Sequence, residues 1–305
     1  MSALKDLTSI LYYSYIIIDF FGVTGNLLSL AIFSRPKFKA TIFNTFFRFM
    51  CLNNLLVLFS KFEWFCEVIG ILNIRNNYVF VCKLYYYTIY FSPPVTSWSL
   101  VFISFDRMIS ICFPARYLFR KKPKNQIKMC VLILILNIIF YSPQLFAKIN
   151  IYFDTLTNIT LHRCEYFNPN GLFDLIDIFY STIITFVLMS ISVSFSLRSI
   201  YKSRRNASLN SSMTKLKDIK FAITSIALNL IFVFLNSPIS IFYILAFFNS
   251  IDFDDEIYKF MDTFLNILFY SNYASLFYIN LIVNSLFRSE FILFLKEIRQ
   301  KLGIF

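Results

Sequence analysis

The sequence predicts an all-α membrane protein, a bundle of seven transmembrane helices followed by a short amphipathic eighth helix. Three observations predict it. With 58% apolar and 15% charged residues in a chain of 305, and a mean hydropathy of +0.64, there is more apolar surface than one soluble core can hide. Apolar windows of about 20 residues or more, the length that crosses a bilayer, recur along the whole chain. The Lys and Arg behind the net charge of +12 lie between those windows rather than in one basic patch, so a nucleic-acid-binding reading fails.

The windows run over 10–33, 43–69, 79–112, 126–147, 172–200, 219–247 and 258–285, in a single domain covering 1–305. The first carries a basic cluster, Arg35, Lys37 and Lys39, on its C-terminal side and lacks a small-residue cleavage site, so it reads as a retained anchor rather than a signal peptide. Its amino terminus is then outside. About 22 of the 29 Lys and Arg fall on the alternate connections that would be cytoplasmic, as the positive-inside rule asks, and the carboxyl terminus lies on that side too. The remaining connections are acidic, with Glu63, Glu67, Asp154, Glu165, Asp174, Asp177, Asp252, Asp254, Asp255, Glu256 and Asp262. Acids are tolerated outside in any case, so this acidity is either topology alone or an attraction for a cationic ligand. The sequon Asn158-Ile159-Thr160 lies in the longest outer loop and is a glycosylation site there. Pro93-Pro94 reads as an isolated interruption of the third span. Beyond the seventh, Phe291, Leu295, Ile298 and Leu302 recur at helical spacing beside Lys296, Arg299 and Lys301, as in a surface helix over 287–302.

Within the third span, Cys82 stands at the outer end and Arg107 at the inner end, about 37 Å apart along a helix, one bilayer crossing. Cys164 lies in the loop before the fifth span, on the same oxidising side as Cys82. Asp106 and Arg107 form a charge pair at the bilayer edge. The arginine can bond its neighbour at rest and present its donors to a partner's carbonyls after a helix movement, a latch; alone, such a dipeptide equally marks the end of a membrane helix. Asp19, Lys61 and Glu63 lie inside the membrane, where each costs about 2.5 to 3.5 kcal/mol at midplane. They are expected to meet in the outer half of the bundle, either as a structural ion network or lining a ligand cavity.

This constellation resembles the rhodopsin-like (class A) G-protein-coupled receptors along most of the chain. The resemblance implies a Cys82–Cys164 disulfide joining the third helix to the second outer loop. It matches Phe105-Asp106-Arg107-Met108 to the Asp/Glu-Arg-Tyr triplet, with Met for Tyr, and Pro114 to a proline of the second inner loop. Gly25-Asn26 matches the Gly-Asn pair of the first helix, Phe232 the packing-switch phenylalanine, and Pro238 the kink proline of the sixth helix. Asn280-Leu281-Ile282-Val283-Asn284 takes the place of Asn-Pro-x-x-Tyr, and the surface helix that of the family's eighth.

Several positions depart from the pattern. Asn54 replaces an Asp, which weakens sodium control, Asn236 replaces the Trp before the kink proline, and Leu281 and Asn284 replace the Pro and Tyr of the seventh helix. These departures fall on activation switches. Ile89 stands where amine receptors hold an Asp, and Lys259 and Lys296 only flank the seventh span, so amine and retinal ligands drop out. Ile89, Lys61 and Glu63 are then the candidate ligand-pocket residues. The general pattern resembles invertebrate neuropeptide receptors of the FMRFamide-receptor-like type.

The implied function is a plasma-membrane G-protein-coupled receptor that passes an extracellular ligand, a neuropeptide, to heterotrimeric G proteins by outward movement of the sixth helix. The alternative is a divergent seven-helix chemosensory receptor or ligand-gated channel with a small-molecule ligand. No enzyme, metal site or cofactor is expected: the six cysteines stand singly beside one His, and facing spans offer no paired acid or His for hydrolysis.

Overall fold

The computed structural model describes residues 2–39, 44–68, 70, 74–113, 123–154, 159–166, 168, 171–205, 213–248 and 254–303. Among them are seven long helices. They are α1 (Ser2–Phe33), α2 (Asn44–Val68), α3 (Val79–Cys112), α4 (Pro123–Tyr141), α5 (Leu172–Ile178, a π-helical turn Phe179–Ile183 and Ile184–Arg205), α6 (Met213–Phe247) and α7 (Asp255–Ala274 and Leu276–Val283, parted at Ser275). An eighth, α8 (Ser285–Lys301), follows at 105° to the end of α7. A helix satisfies every backbone group internally, which is what a hydrocarbon solvent demands.

Among the described residues, five helices qualify as membrane spans by length and composition alone, α1, α3, α4, α5 and α6. The other two carry polar cargo: Asn53, Asn54 and Lys61 lie in α2, and Asp255, Glu256, Lys259 and Asp262 in α7, which is also broken at Ser275. Phe20, Phe59 and Phe234 stand exposed on the outside of the bundle, where water would oppose them and lipid favours them.

The third helix is the centre of the bundle, packed on α2, α4, α5 and α6, while α1 lies on α2 and α7. Phe91, Val95, Leu100 and Ile103 of α3 share one buried cluster with Met189 of α5, Phe232 of α6 and Leu276 of α7. The prolines do not interrupt α3, contrary to the sequence reading; Pro93 and Pro94 lie buried within a continuous helix. Each removes a main-chain bond, but membrane helices tolerate this where neighbours supply donors. The carbonyls this frees are those of Ile89 and Tyr90, one turn earlier, while Asn53 of α2 ties the same stretch to its neighbour by donating to the Ser92 carbonyl at 2.6 Å.

A 3-10 turn (Ser142–Phe146) leads from α4 into an antiparallel hairpin, β1 (Lys148–Asp154) and β2 (Ile159–Glu165), with Ile149 opposite Cys164. Cys164 is disulfide-bonded to Cys82 at the start of α3, with 5.7 Å between their Cα atoms. The Cys164 N–H donates to Asn76 Oδ1 at 2.7 Å. The hairpin thus fixes one end of the bundle, the disulfide end; Arg107 marks the other.

Candidate functional site

At the disulfide end, α3, α5, α6 and α7 enclose a cavity of about 610 Å³. Its character is set by three carboxylates, each held by a tyrosine hydroxyl. Asp174 of α5 accepts from Tyr90 of α3 at 2.7 Å, and from Tyr166 at 2.9 Å and Asn168 at 2.7 Å, both in the segment leading to α5. Asp177, one turn further on, accepts from Tyr141 of α4. Asp262 of α7 accepts from Tyr243 of α6 at 2.7 Å and from Asn266 at 3.1 Å. The π-turn of α5 sets Ser181 and Thr182 on the cavity wall. Such turns recur at functional sites because the extra residue redirects side chains.

Of the pocket residues expected from sequence, Ile89 lines this cavity and Lys61 does not. Lys61 lies one layer behind, with its Nζ over the rings of Tyr15 at 4.7 Å and Tyr270 at 4.8 Å, a cation–π arrangement that compensates part of its desolvation. Asp262 and Asp19 are its charged counterparts. Asp19 and Lys61 are thus near each other, and Asp262 of α7 joins them. The Glu63 side chain lies outside the described residues, as do Pro114 and Asn158.

Beneath the cavity runs a polar chain through four helices. Asn26 of α1 donates to the Tyr273 carbonyl of α7 at 2.9 Å, close to the break at Ser275, where carbonyls lose their helical donors. Asn54 of α2 donates to Asn26 at 3.3 Å, Thr96 of α3 donates to Asn54 at 2.8 Å, and Asn53 donates to Thr96 at 2.8 Å. Asn280, by contrast, donates only to the Leu276 carbonyl of its own helix at 2.8 Å. In α6, Pro238 removes one main-chain bond, and side chains serve the carbonyls nearby: Asn236 donates to Phe232 at 2.7 Å and Ser240 to Asn236 at 3.1 Å. Asn236 lines the cavity and Phe232 lies in the central core, so one helix turn connects them.

At the opposite end, Arg107 is 2% exposed and its guanidinium lies 3.5 Å from the carboxylate of Asp106. One turn earlier on α3, Ser104 is within 3.4 Å of Ser225 and accepts from Asn229 at 2.7 Å, both on α6. The two helices are tied there.

Between residues 25 and 275 the chain matches the model of the family described as 7 transmembrane receptor (rhodopsin family). The chain belongs to that family. A comparison with curated proteins finds no match. As a rhodopsin-family receptor it is a multi-pass plasma-membrane signalling protein built on a seven-helix bundle, not an enzyme, and its partners are an extracellular ligand and a G protein.

The receptor also holds groups that sequence reasoning passed over. Asn284, read only as a lost tyrosine, caps α8: its Oδ1 accepts from the Phe287 N–H at 3.2 Å. An Asn just before a helical pattern is a cap signal that was there to be read. Phe287 is buried against Phe33, Phe38 and Phe277. Glu290 of α8, 2% exposed, takes Arg35 at 2.7 Å and Lys37 at 2.7 Å, while Glu297 takes the other face of Arg35 at 2.6 Å. Burial acts to raise the Glu290 pKa, but the hydrogen bonds from Lys37 and Arg35 outweigh it and hold the carboxyl below its ordinary range. The tyrosines that hold the cavity carboxylates, and Ser104, Ser225 and Asn229, had no sequence signal beyond their residue types.

Proposed function

We propose that this receptor lies with its amino terminus and disulfide end outside the cell, binds a neuropeptide in the cavity among α3, α5, α6 and α7, and activates heterotrimeric G proteins through the Arg107 end. The observation that carries the reading is the pairing of an open polar cavity at one end of α3 with a buried arginine at the other, bridged by α6. A cavity of this size takes one end of a peptide rather than the whole of it, with tyrosines and carboxylates set among apolar residues such as Ile89 and Ile239 to hold one or two side chains. The orientation rests on charge: Arg35, Lys37, Lys124, Lys128, Arg198 and Arg288 flank the Arg107 end, and the disulfide belongs to an oxidising compartment.

The mechanism is a population shift. Ligand contacts to Asn236 and Tyr243 favour an arrangement in which α6 pivots near Pro238, parting from Ser104 and uncovering Arg107 for the G protein. At rest the Asp106–Arg107 contact acts as the latch, and Asn26, Asn54 and Asn280 line the path on the α7 side. The test is G-protein activation in cells that display the receptor with an accessible amino-terminal tag, screened against a neuropeptide library. A response that disappears in Arg107→Ala at unchanged surface level supports the proposal; an equal response in both excludes the latch, and a tag reached only after permeabilisation excludes the orientation.

A further inference from the structure

Charge and hydrogen bonding together narrow the chemistry of the ligand. Three carboxylates, Asp174, Asp177 and Asp262, line the cavity, and among the residues lining it there is no Lys, Arg or His. Lys61 lies behind Tyr270 and faces Asp262 and Asp19; among the described residues Asp174 and Asp177 form no ion pair. Their hydrogen-bond partners are neutral hydroxyls and an amide, which orient a carboxylate without cancelling its charge. In a low-dielectric setting such a group attracts a cation strongly.

A second observation is independent of the acids. Tyr273 of α7, 1% exposed, lines the cavity, and its hydroxyl has no hydrogen-bond partner among the described residues. A buried hydroxyl without a partner is destabilising, so it is worth retaining where something that enters the cavity bonds to it. Tyr273 is also within electrostatic reach of Asp177. The same residue's carbonyl accepts from Asn26 at 2.9 Å, which connects this spot to the polar chain through α1, α2 and α3.

We propose that the cavity recognises a cationic group, a guanidinium or ammonium, which donates to Asp177 and Asp174 on α5 while a polar atom beside it bonds the Tyr273 hydroxyl on α7. This rests on the cavity being the ligand site of the proposed function. An Arg or Lys side chain or a free amino end of a peptide carries that chemistry, and the surrounding tyrosine faces, Tyr90, Tyr166 and Tyr270 among them, favour it further. The cation thereby spans α5 and α7, the two helices between which α6 must move.

The test uses purified receptor without G protein, so that it stands apart from the coupling reading. Thermal unfolding is followed while arginine amide is titrated to about 10 mM, the range where a fragment of this size binds, against citrulline amide, which has the same shape and a neutral urea. Arginine amide is expected to raise the unfolding temperature and citrulline amide to leave it unchanged. Asp177→Asn and Tyr273→Phe are each expected to weaken the apparent affinity for arginine amide about tenfold or more. Unliganded Tyr273→Phe should unfold no earlier than wild type, because its hydroxyl bonds none of the described residues. Equal stabilisation by both amides, no stabilisation by arginine amide, or undiminished affinity in both variants overturns the proposal, whether or not the receptor activates a G protein. A destabilised Tyr273→Phe also overturns it, since the hydroxyl then has a partner within the protein.

Discussion

Replacing Asn26 with Ala is expected to destabilise the receptor well beyond the same replacement at Asn280, although both are buried asparagines at positions that the family resemblance marks as switches. Asn26 makes two interhelical bonds, as donor to the Tyr273 carbonyl at 2.9 Å and as acceptor from Asn54 at 3.3 Å. Hydrogen bonds between membrane helices average about 0.6 kcal/mol and reach about 1.7, so the pair contributes roughly 1 to 3 kcal/mol. Asn280 bonds only a carbonyl of its own helix, and its Oδ1 has no partner among the described residues. Its removal discards a bond of little worth together with an unsatisfied acceptor, and the two effects nearly offset. The volume lost is the same at both sites, which leaves the hydrogen bonds as the difference. At roughly 2 to 4 °C per kcal/mol, Asn26→Ala should unfold about 2 to 12 °C below Asn280→Ala. A thiol-reactive fluorogenic dye reads this directly, because Cys51, Cys66 and Cys130 are buried until the bundle opens. Unfolding of membrane proteins is commonly irreversible, so both variants are scanned at one heating rate. An Asn280→Ala variant as unstable as Asn26→Ala would refute the reasoning.

Three further perturbations test other parts of the structure. Cys82→Ser removes a cross-link between positions 82 residues apart and should cost about 2 to 4 kcal/mol, seen as an early unfolding transition that reductant no longer shifts. Gly22→Ala places a methyl group 2.6 Å from Leu58 Cδ1 and 3.0 Å from Ala274 Cβ; the overpacking of α1 on α2 and α7 should cost about 1 to 3 kcal/mol, and adding Leu58→Ala should recover part of it. The α8 anchor is sensitive to acid: with the Glu290 pKa depressed in the folded state, its stabilisation is present above the unfolded carboxyl value near 4.3 and fades as pH falls through the lower folded value. A fluorophore at exposed Ile298 should therefore report release of α8 on acidification, and Glu290→Gln should give that signal already at neutral pH.

What the sequence made legible follows from what local pattern can encode. The fold class was visible because a bilayer requires long apolar helices, and the disulfide because two well-placed cysteines and the family resemblance agreed. The continuity of α3 through Pro93-Pro94 was not visible, since a proline pair reads locally as a helix breaker and only its burial among the other helices shows otherwise. The nearness of Asp262 to Lys61 was missed for the same reason: Asp262 is about 200 residues away in the chain, and only the fold of α2 against α7 brings them together. Asn284 was a different failure. Its capping chemistry is local, but comparison with a family tyrosine drew attention to what was missing rather than to what an asparagine does. The carboxylate cavity was partly legible, because Asp174, Asp177 and Asp262 stood out as acids of the outer side, yet their convergence on one space is a property of packing.

The central claim is that α6 must part from α3 near Arg107 for a signal to pass. Ser104 and Ser225, whose hydroxyls are 3.4 Å apart, allow a direct measurement: oxidation of a Ser104→Cys, Ser225→Cys double variant to cross-link the two helices, followed by G-protein activation with a peptide that activates wild type. The account predicts that the cross-linked receptor still binds the peptide and no longer activates, while each single variant treated with the same oxidant responds as before. Full activation by the cross-linked receptor would contradict it.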